Sequence, residues 1–163
     1  TGTEAAIAMG AAVTGRLPAP VTGIFIDTRT LQPGELFFAI RGEARDGHDF
    51  VAAALEKGAA GAVVEADRAE ALARHGTLFA VDDVLDGLRR LGLAARASTA
   101  AGIVAVTGSV GKTGTKEALR LVLSRQGGTH ASVASYNNHW GVPLTLARMP
   151  RESAYGVFEV GMN

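Results

Sequence analysis

Cysteine is absent from the 163-residue chain, which excludes disulfide bonds and thiolate metal sites and fits a reducing compartment. Net charge is absent too, because 16 lysines and arginines balance 16 aspartates and glutamates. This balance, without a long basic run, gives no sign of a nucleic-acid or anionic-membrane surface. No apolar run approaches the roughly 20 residues that span a bilayer, and no signal-peptide pattern opens the sequence. We therefore expect a soluble, cytoplasmic protein with no nucleic-acid partner and no membrane insertion.

Apolar residues make up 47% of the sequence, enough for the packed cores of one or two domains. Short β-branched and aromatic runs alternate with segments of helical spacing, which is the pattern of an α/β fold. In the first hundred residues this pattern predicts strands at 21–27, 36–40, 61–65 and 77–81, and helices at 3–12, 50–57, 69–74 and from 84 onward. We expect Thr3, Asp49 and either Asp82 or Asp83 to cap three of these helices.

A stretch of small and polar residues at 97–102 is typical of a linker and predicts a domain boundary near residue 100. Beyond it we predict strands at 103–106, 129–133 and 154–163, a helix that closes at 127–128, and a helix at 144–149. A doubly wound nucleotide-binding domain usually has five or more strands, so roughly 60 residues are too few for one. We expect domains at 1–99 and 100–163, the second incomplete. Either the chain is a fragment of a longer enzyme, which we favour, or a partner supplies the rest.

The segment 107–113 reads TGSVGKT and lies between a predicted strand and a predicted helix. Strand, glycine loop, Lys-Thr and helix is the layout of a phosphate-binding loop. Glycines let backbone N–H groups converge on phosphate oxygens, the lysine reaches the outer phosphates, and the threonine hydroxyl binds Mg²⁺. The candidate nucleotide-binding residues are Thr107, Gly108, Ser109, Val110, Gly111, Lys112 and Thr113.

This loop departs from the general pattern, which has a glycine six residues before the lysine where this chain has Val106. The alternative is a glycine-rich turn with an incidental lysine. A lysine in the first helical turn, however, faces the positive end of the helix dipole, which is unfavourable unless an anion also binds there. A bound triphosphate removes that conflict, so we favour the nucleotide site.

Motifs along nearly the whole chain resemble those of the Mur ligase family, in the same order. The glycine loop is similar to the ATP loop of these ligases, which also lacks the early glycine. Upstream segments resemble their N-terminal UDP-sugar-binding domain. Downstream segments are most similar to the branch that joins D-alanyl-D-alanine to UDP-N-acetylmuramoyl-tripeptide. The segments that carry the resemblance are 26–29 (IDTR), 33–42 (PGELFFAIRG), 46–50 (DGHDF), 107–113 (TGSVGKT), 136–143 (YNNHWGVP) and 159–163 (EVGMN).

The resemblance implies a small, mixed-sheet UDP-sugar-binding domain followed by an incomplete P-loop ATPase domain with a mostly parallel sheet. It also implies an ATP- and Mg²⁺-dependent amide-bond ligase of peptidoglycan precursor synthesis. Such an enzyme activates the tripeptide carboxylate as an acyl phosphate, which D-alanyl-D-alanine then attacks. We expect the full-length enzyme to be a monomer and this chain to be inactive alone. A sibling ligase that adds another amino acid and a non-catalytic P-loop nucleotide-binding module remain the alternatives.

The same resemblance assigns roles around the glycine loop. Lys112 is expected to contact the β- and γ-phosphates as the catalytic residue, and Thr113 and Glu159 to bind Mg²⁺. Glu159 interrupts an apolar run, which is also typical of the solvated face of an edge strand. Asn163 belongs to the same motif as Glu159.

Candidate substrate-binding residues occur in both halves of the chain. Those expected at the uridine nucleotide are Thr28, Arg29, Glu43, Ala44 and Arg45. Arg29 binds the diphosphate or forms a surface pair with Asp27. Asn137 and Asn138 contact the substrate or ATP, or are ordinary turn formers. The other polar residues are expected to be structural: residues 46–48 shape a turn, 139–140 pack locally, and His75 and His130 lie at the surface.

Overall fold

The computed structural model describes residues 1–18, 20–42, 45–133 and 138–161. The chain divides into two compact units, Thr1–Leu91 and Gly92–Asn163. This division falls inside a helix, Val84–Ala97, a few residues before the predicted linker. The assignment of functional domains to 1–99 and 100–163 therefore stays a prediction. No helix in the described ranges has both the length and the apolar character needed to cross a membrane.

The first unit is built on a five-stranded sheet with helices between its strands. Its elements are α1 (Gly2–Met9), β1 (Ala12–Thr14), β2 (Gly23–Phe25), β3 (Glu35–Phe38), a 3₁₀ turn (Gly47–Phe50), α2 (Val51–Glu56), β4 (Gly61–Glu65), α3 (Ala66–Leu72), a second 3₁₀ turn (Ala73–His75), β5 (Leu78–Val81) and most of α4 (Val84–Ala97). The strand order is β1-β5-β4-β3-β2. Strands β2 to β5 run parallel, whereas β1 pairs antiparallel with β5. The expected mixed sheet is confirmed.

Burial explains why the central strands of this sheet could be predicted from the sequence. All four residues of β3 and the first four of β4 are buried, as expected for parallel strands covered on both faces. One core cluster joins Phe37 of β3, Val64 of β4 and Leu78 of β5 with Val51 and Ala54 of α2. A Cβ on Gly61 would lie 2.8 Å from the ring of Phe79, so β4 begins with a residue that lets the neighbouring strand approach.

The ends of the first unit differ from the sequence-based expectation. Helix α1 is capped by Thr1, not Thr3, because Thr1 and Glu4 form a reciprocal capping box. It ends at Gly10 with a left-handed φ of 68°, which leaves residues 12–14 free to form β1. This short strand was not predicted. Helix α4 is capped as expected, since the Asp83 carboxylate accepts a hydrogen bond from the backbone N–H of Asp86 at 2.6 Å.

Asp46, rather than Asp49, caps the turn that leads into α2. Its Oδ1 accepts the backbone N–H of His48 at 3.0 Å, so the first turn begins three residues earlier than predicted, as a 3₁₀ turn. The same oxygen lies 2.6 Å from Nδ1 of His48, whose side chain is buried. Nε2 of His48 accepts the backbone N–H of Glu65 at 3.0 Å, so Nδ1 carries the hydrogen and donates to Asp46. Residues 46–48 shape this turn as expected, and they also tie it to β4.

The second unit has a three-stranded parallel sheet of order β6-β8-β7. Its elements are the end of α4, β6 (Gly102–Val106), α5 (Lys112–Leu123), β7 (Thr129–Ala131), α6 (Gly141–Ala147) and β8 (Tyr155–Glu159). The last strand therefore lies between the first two. Helix α6 begins three residues earlier than predicted, because Pro143 fits in a first helical turn, where its missing N–H costs no hydrogen bond.

Candidate nucleotide-binding site

The loop between β6 and α5 has the backbone that its glycines predict. Gly108 has a φ of 143° and Gly111 a φ of 76°, both in the region that side chains disfavour. A Cβ on Gly111 would meet no atom of the described residues within 4 Å, so its positive φ, rather than crowding by that part of the chain, favours glycine there. In the described part of the chain no side chain caps α5 at Gly111. The first N–H groups of α5 are thus donors without a side-chain cap, as in anion sites at helix N-termini.

Lys112 reaches back across this loop. Its Nζ donates to the carbonyl of Gly108 at 2.6 Å, and its side chain is half-buried. The ammonium charge therefore lies over the loop at the positive end of the α5 dipole. The Lys112 ammonium and the partial positive charge at the N-terminus of α5 both favour an anion bound at this loop.

Glu159 ends β8 next to the start of the glycine loop. It pairs in register with Val106, the last residue of β6, and its carboxylate Oε2 accepts the Thr113 hydroxyl at 3.0 Å. Only 2% of Glu159 is exposed. Because β8 is the central strand and Glu159 is buried, the alternative of a solvated face on an edge strand is wrong. The carboxylate lies at the carboxyl end of a parallel sheet, where such folds bind ligands.

The oxygens of Thr113 and Glu159 fit a magnesium ion. Mg²⁺ prefers oxygen ligands and is usually held by one or two carboxylates together with substrate phosphates and several waters. Among the described residues no group of three or more His, Asp or Glu side chains forms a larger metal cluster. The donor set thus suits a metal that shares its coordination with a nucleotide.

Two residues that were not identified from the sequence, Lys116 and Ser132, form hydrogen bonds that lead to Glu159. Lys116, only 1% exposed, donates from Nζ to the backbone carbonyl of Ser132 at 2.9 Å. The Ser132 hydroxyl in turn accepts the backbone N–H of Glu159 at 3.1 Å. Lys116 lies one turn after Lys112 on α5, and this i, i+4 spacing was the available signal for a second lysine near the site.

The uridine candidates lie where adjacent parallel strands end. Thr28 and Arg29 follow β2, and Arg45 belongs to the loop after β3, so both loops leave the same edge of the sheet. Arg45 is exposed, and its carbonyl accepts the N–H of Gly42 at 2.9 Å. Glu43 and Ala44 lie outside the described residues.

Arg29 forms the surface pair that was one of its two expected roles. Its Nη2 lies 2.6 Å from Oδ2 of Asp27, and 86% of the arginine side chain is exposed. Hydrogen bonds from the side chain and backbone of Arg29 lower the pKa of Asp27 to about 2. Lys57 lies beside this pair, donating from Nζ to the carbonyl of Thr28 at 2.8 Å. Contact of Arg29 with a diphosphate stays a prediction.

The downstream candidates are placed only in part. Asn138 accepts the N–H of Gly141 through Oδ1 at 2.9 Å, which fixes the start of α6 as a turn former does. Asn137 and Asn163 lie outside the described residues. His130 is not the surface residue that we expected, because its ring packs against Phe158 with centroids 6.4 Å apart. Burial lowers the pKa of His130, and its Nε2 lies 2.9 Å from the carbonyl of Thr145.

Models of known families match both units. The family described as "Mur ligase family, catalytic domain" matches residues 20–123, and the "Mur ligase middle domain" matches residues 106–163.

Curated relatives named UDP-N-acetylmuramoyl-tripeptide--D-alanyl-D-alanine ligase include those of Synechocystis sp. and Bacillus subtilis. The first is 41% identical over 142 residues, covering 87% of this chain and 31% of that protein. The second is 36% identical over 143 residues, covering 88% of this chain and 31% of that protein. The chain thus spans about a third of the length of these relatives.

Solved structures of such ligases share the fold. A ligase from Acinetobacter baumannii, named UDP-N-acetylmuramoylalanyl-D-glutamyl-2,6-diaminopimelate--D-alanyl-D-alanyl ligase, matches with a TM-score of 0.84 at 31% identity. That match covers 100% of this chain and 36% of the other. The MurF ligase from Thermotoga maritima in complex with ADP matches with a TM-score of 0.67 at 27% identity, over 86% of this chain and 32% of the other. These findings confirm the resemblance read from the motifs, and with a family match over residues 20–123 the chain belongs to the Mur ligase family.

Proposed function

We propose that this chain is part of a longer, cytoplasmic, ATP-dependent ligase that adds D-alanyl-D-alanine to UDP-N-acetylmuramoyl-tripeptide in peptidoglycan precursor synthesis. The observation that carries the proposal is the Thr113–Glu159 pair, with its 3.0 Å hydrogen bond directly behind the glycine loop. It gives the loop the oxygen ligands that a Mg²⁺-bound nucleotide needs. The relatives that bear this activity as a name support the choice of substrates.

The reaction follows from the chemistry of an amide bond. A carboxylate is a poor electrophile toward an amine and must first be activated. The γ-phosphoryl group of ATP is therefore transferred to the terminal carboxylate of the tripeptide. The amine of D-alanyl-D-alanine attacks the resulting acyl phosphate, and the carbon–oxygen bond to phosphate breaks. ATP, tripeptide and dipeptide thus give ADP, phosphate and the extended peptide. Mg²⁺, when bound, neutralises charge on the transferred phosphoryl group.

The chain's own residues bind and orient the nucleotide in this scheme. Backbone N–H groups of residues 109–113 hold phosphate oxygens, and Lys112 shifts its donor from the Gly108 carbonyl to the β- and γ-phosphates. Thr113 and Glu159 hold the metal. Preorganised donors of this kind stabilise charge that develops during transfer, because they need not reorient as it moves.

Residues 1–99 serve as the UDP-sugar-binding domain in this proposal. Thr28, Arg29 and Arg45 contact the uridine nucleotide, and Glu43 and Ala44, which precede Arg45 in the sequence, complete the set. Support comes from the shared edge at which β2 and β3 end, since ligands of parallel sheets bind at the carboxyl ends of strands. Asn137 and Asn138 are assigned to contacts with ATP or substrate.

Residues 100–163 are then the first part of the ATP-binding domain. Its three-stranded sheet is smaller than that of a complete doubly wound domain. The full-length enzyme is proposed to act as a monomer, and the chain alone to lack ligase activity. The Thermotoga maritima MurF structure in complex with ADP supports the proposal that this protein binds a nucleotide.

The test uses the full-length enzyme and a coupled assay of phosphate release. Lys112→Ala should lower turnover with D-alanyl-D-alanine by at least about 100-fold, because it removes a donor to the transferred phosphoryl group. Arg125→Ala is the control, since Arg125 lies just after the same helix and is exposed. Near-normal turnover of Lys112→Ala would refute the assignment. Phosphate release with a single amino acid instead of the dipeptide would favour a sibling ligase.

A further inference from the structure

Helix α5 is anchored to its sheet by a lysine. Of its twelve residues, all of them described, Lys116 alone is buried, whereas Leu121 and Val122 are more than half exposed. Burying an ammonium group is unfavourable unless it is paired and hydrogen-bonded, and an apolar side chain would anchor a helix without that cost. The Lys116 Nζ lies 3.2 Å from a Glu117 carboxylate oxygen, so the charge is paired, and what an apolar side chain could not supply is the hydrogen bond from Nζ to the Ser132 carbonyl.

The contacts of Lys116 lead to the metal-binding carboxylate. Lys116 donates to the Ser132 carbonyl just after β7, and the Ser132 hydroxyl accepts the N–H of Glu159. Glu159 accepts the hydroxyl of Thr113, which lies one turn before Lys116 on α5. The three hydrogen bonds close a ring through α5, the end of β7 and the end of β8. Every member of the ring except Thr113 is buried.

We propose that Lys116 is a positioning residue for the Mg²⁺ site, which fixes Ser132 and through it holds Glu159 against Thr113. This inference rests on the proposed function, in which Thr113 and Glu159 are the metal ligands. Groups that orient metal ligands without touching the metal typically change metal affinity by about 10- to 100-fold when they are removed. Lys116 acts here on the ligand geometry, whereas Lys112 acts on the phosphates directly.

The different roles of Lys112 and Lys116 can be distinguished by measuring ATP binding with and without Mg²⁺. In the full-length protein, ATP binding is measured by calorimetry with excess MgCl₂ and again with EDTA. Lys116→Met, which keeps the length of the side chain but not its charge, should weaken ATP binding in MgCl₂ by about 10- to 100-fold. With EDTA it should bind ATP as the wild type does. Lys112→Met should weaken binding in both conditions.

Two further variants keep the test decisive. Ser132→Ala removes the hydroxyl that accepts the Glu159 N–H and should reproduce the Mg²⁺-specific loss, without adding to that of Lys116→Met in the double variant. It replaces Lys116→Met if that variant does not fold. Arg125→Met is the control, at an exposed residue just after the same helix, and should leave both affinities unchanged. Amide hydrogen exchange of Glu159 without metal should be faster in Lys116→Met and Ser132→Ala than in the control.

The outcomes separate this inference from the function on which it rests. If Lys116→Met and Ser132→Ala fold and bind ATP in MgCl₂ as tightly as the wild type, the positioning role is overturned while the ligase assignment stands. An equal loss with MgCl₂ and with EDTA also overturns it, since it would show a general structural role. If the wild type itself fails to bind ATP in MgCl₂, the proposed function fails, and faster exchange at Glu159 would then support only the hydrogen-bonded ring.

Discussion

Replacement of Asp46 by alanine should destabilise the first unit far more than the same change at Asp49. Asp46 accepts two hydrogen bonds from His48, one from the backbone N–H and one from the buried imidazole. Loss of an N-cap costs about 1 kcal/mol. A buried N–H left without its acceptor costs about 1–3 kcal/mol more. The more distant contacts of Asp46 with Arg41 and Arg68, at 3.6 Å and 3.5 Å, add little because both arginines are about half exposed.

We therefore expect Asp46→Ala to lower the free energy of unfolding by about 2–4 kcal/mol. Asp49 is exposed and accepts no hydrogen bond in the described structure, so Asp49→Ala should stay within about 0.5 kcal/mol of wild type. Urea unfolding followed by circular dichroism measures the difference. Hydrogen exchange at the amide of Glu65, which donates to His48, assigns it to the first unit. A cost at Asp49 as large as that at Asp46 would refute the capping argument.

The pH dependence gives a second check on the same residue. The backbone N–H of His48, with its imidazole as a further donor, holds the pKa of Asp46 below its usual value of 3.8. A carboxylate with a lowered folded-state pKa stabilises the fold above its unfolded-state pKa, and this contribution is lost as pH falls through the folded-state value. The stability difference between wild type and Asp46→Ala should therefore be largest above about pH 4 and should shrink on further acidification.

Two further substitutions test local features of the structure. Gly114→Ala should stabilise α5 by about 0.5–1 kcal/mol, because alanine is the better helix former and a Cβ there lies more than 4 Å from its described neighbours; a lower melting temperature would contradict that open space. Asp27→Asn should cost less than about 1 kcal/mol at neutral pH, since the pair with Arg29 is exposed. That small difference should vanish as pH falls from about 4 through 2, because the pKa of Asp27 is lowered to about 2. An NMR titration that gives Asp27 an ordinary pKa would show that the pair does not form in solution.

Strands with a continuous apolar run were predictable from the sequence, and short or exposed ones were not. The prediction for 61–65 matches β4 residue for residue, because glycine opens the run and its next three residues are fully buried. By contrast β1 has three residues, none of them buried, and exists through its antiparallel pairing with β5 more than sixty residues away. The local sequence pattern contains no information about a pairing strand so distant in the chain.

The cap predicted at Asp83 was confirmed, whereas the one predicted at Asp49 was wrong for a similar reason. Asp46 and Asp49 are both good capping residues by type, and nothing local decides between them. The choice is made by His48, whose ring is buried between Asp46 and the backbone of Glu65 in β4. A contact between segments far apart in sequence thus sets where the helical turn begins.

The nucleotide site shows the same division between local and distant information. Residues 107–113 are contiguous, so their motif predicted the glycine loop that the structure has. Glu159 was identified by resemblance, but its burial and its contact with Thr113 depend on β8 lying between β6 and β7. Lys116 and Ser132 carry no motif of their own, and only this strand order brings them together behind Glu159.

The strand order β6-β8-β7 also says how the site is assembled. The last strand in sequence takes the central place, so its carboxyl end is flanked by the loop after β6 and by Ser132 after β7. The glycine loop ends at residue 113, and Glu159, which accepts the Thr113 hydroxyl, lies 46 residues later in the sequence. The proposed phosphate donors therefore lie in one strand–loop–helix unit, whereas the proposed metal ligands come from that unit, through Thr113, and from the end of β8, through Glu159. On this proposal, nucleotide affinity without metal should depend on the loop and its metal dependence on β8, and these are the two effects that the Lys116 and Ser132 variants are designed to separate.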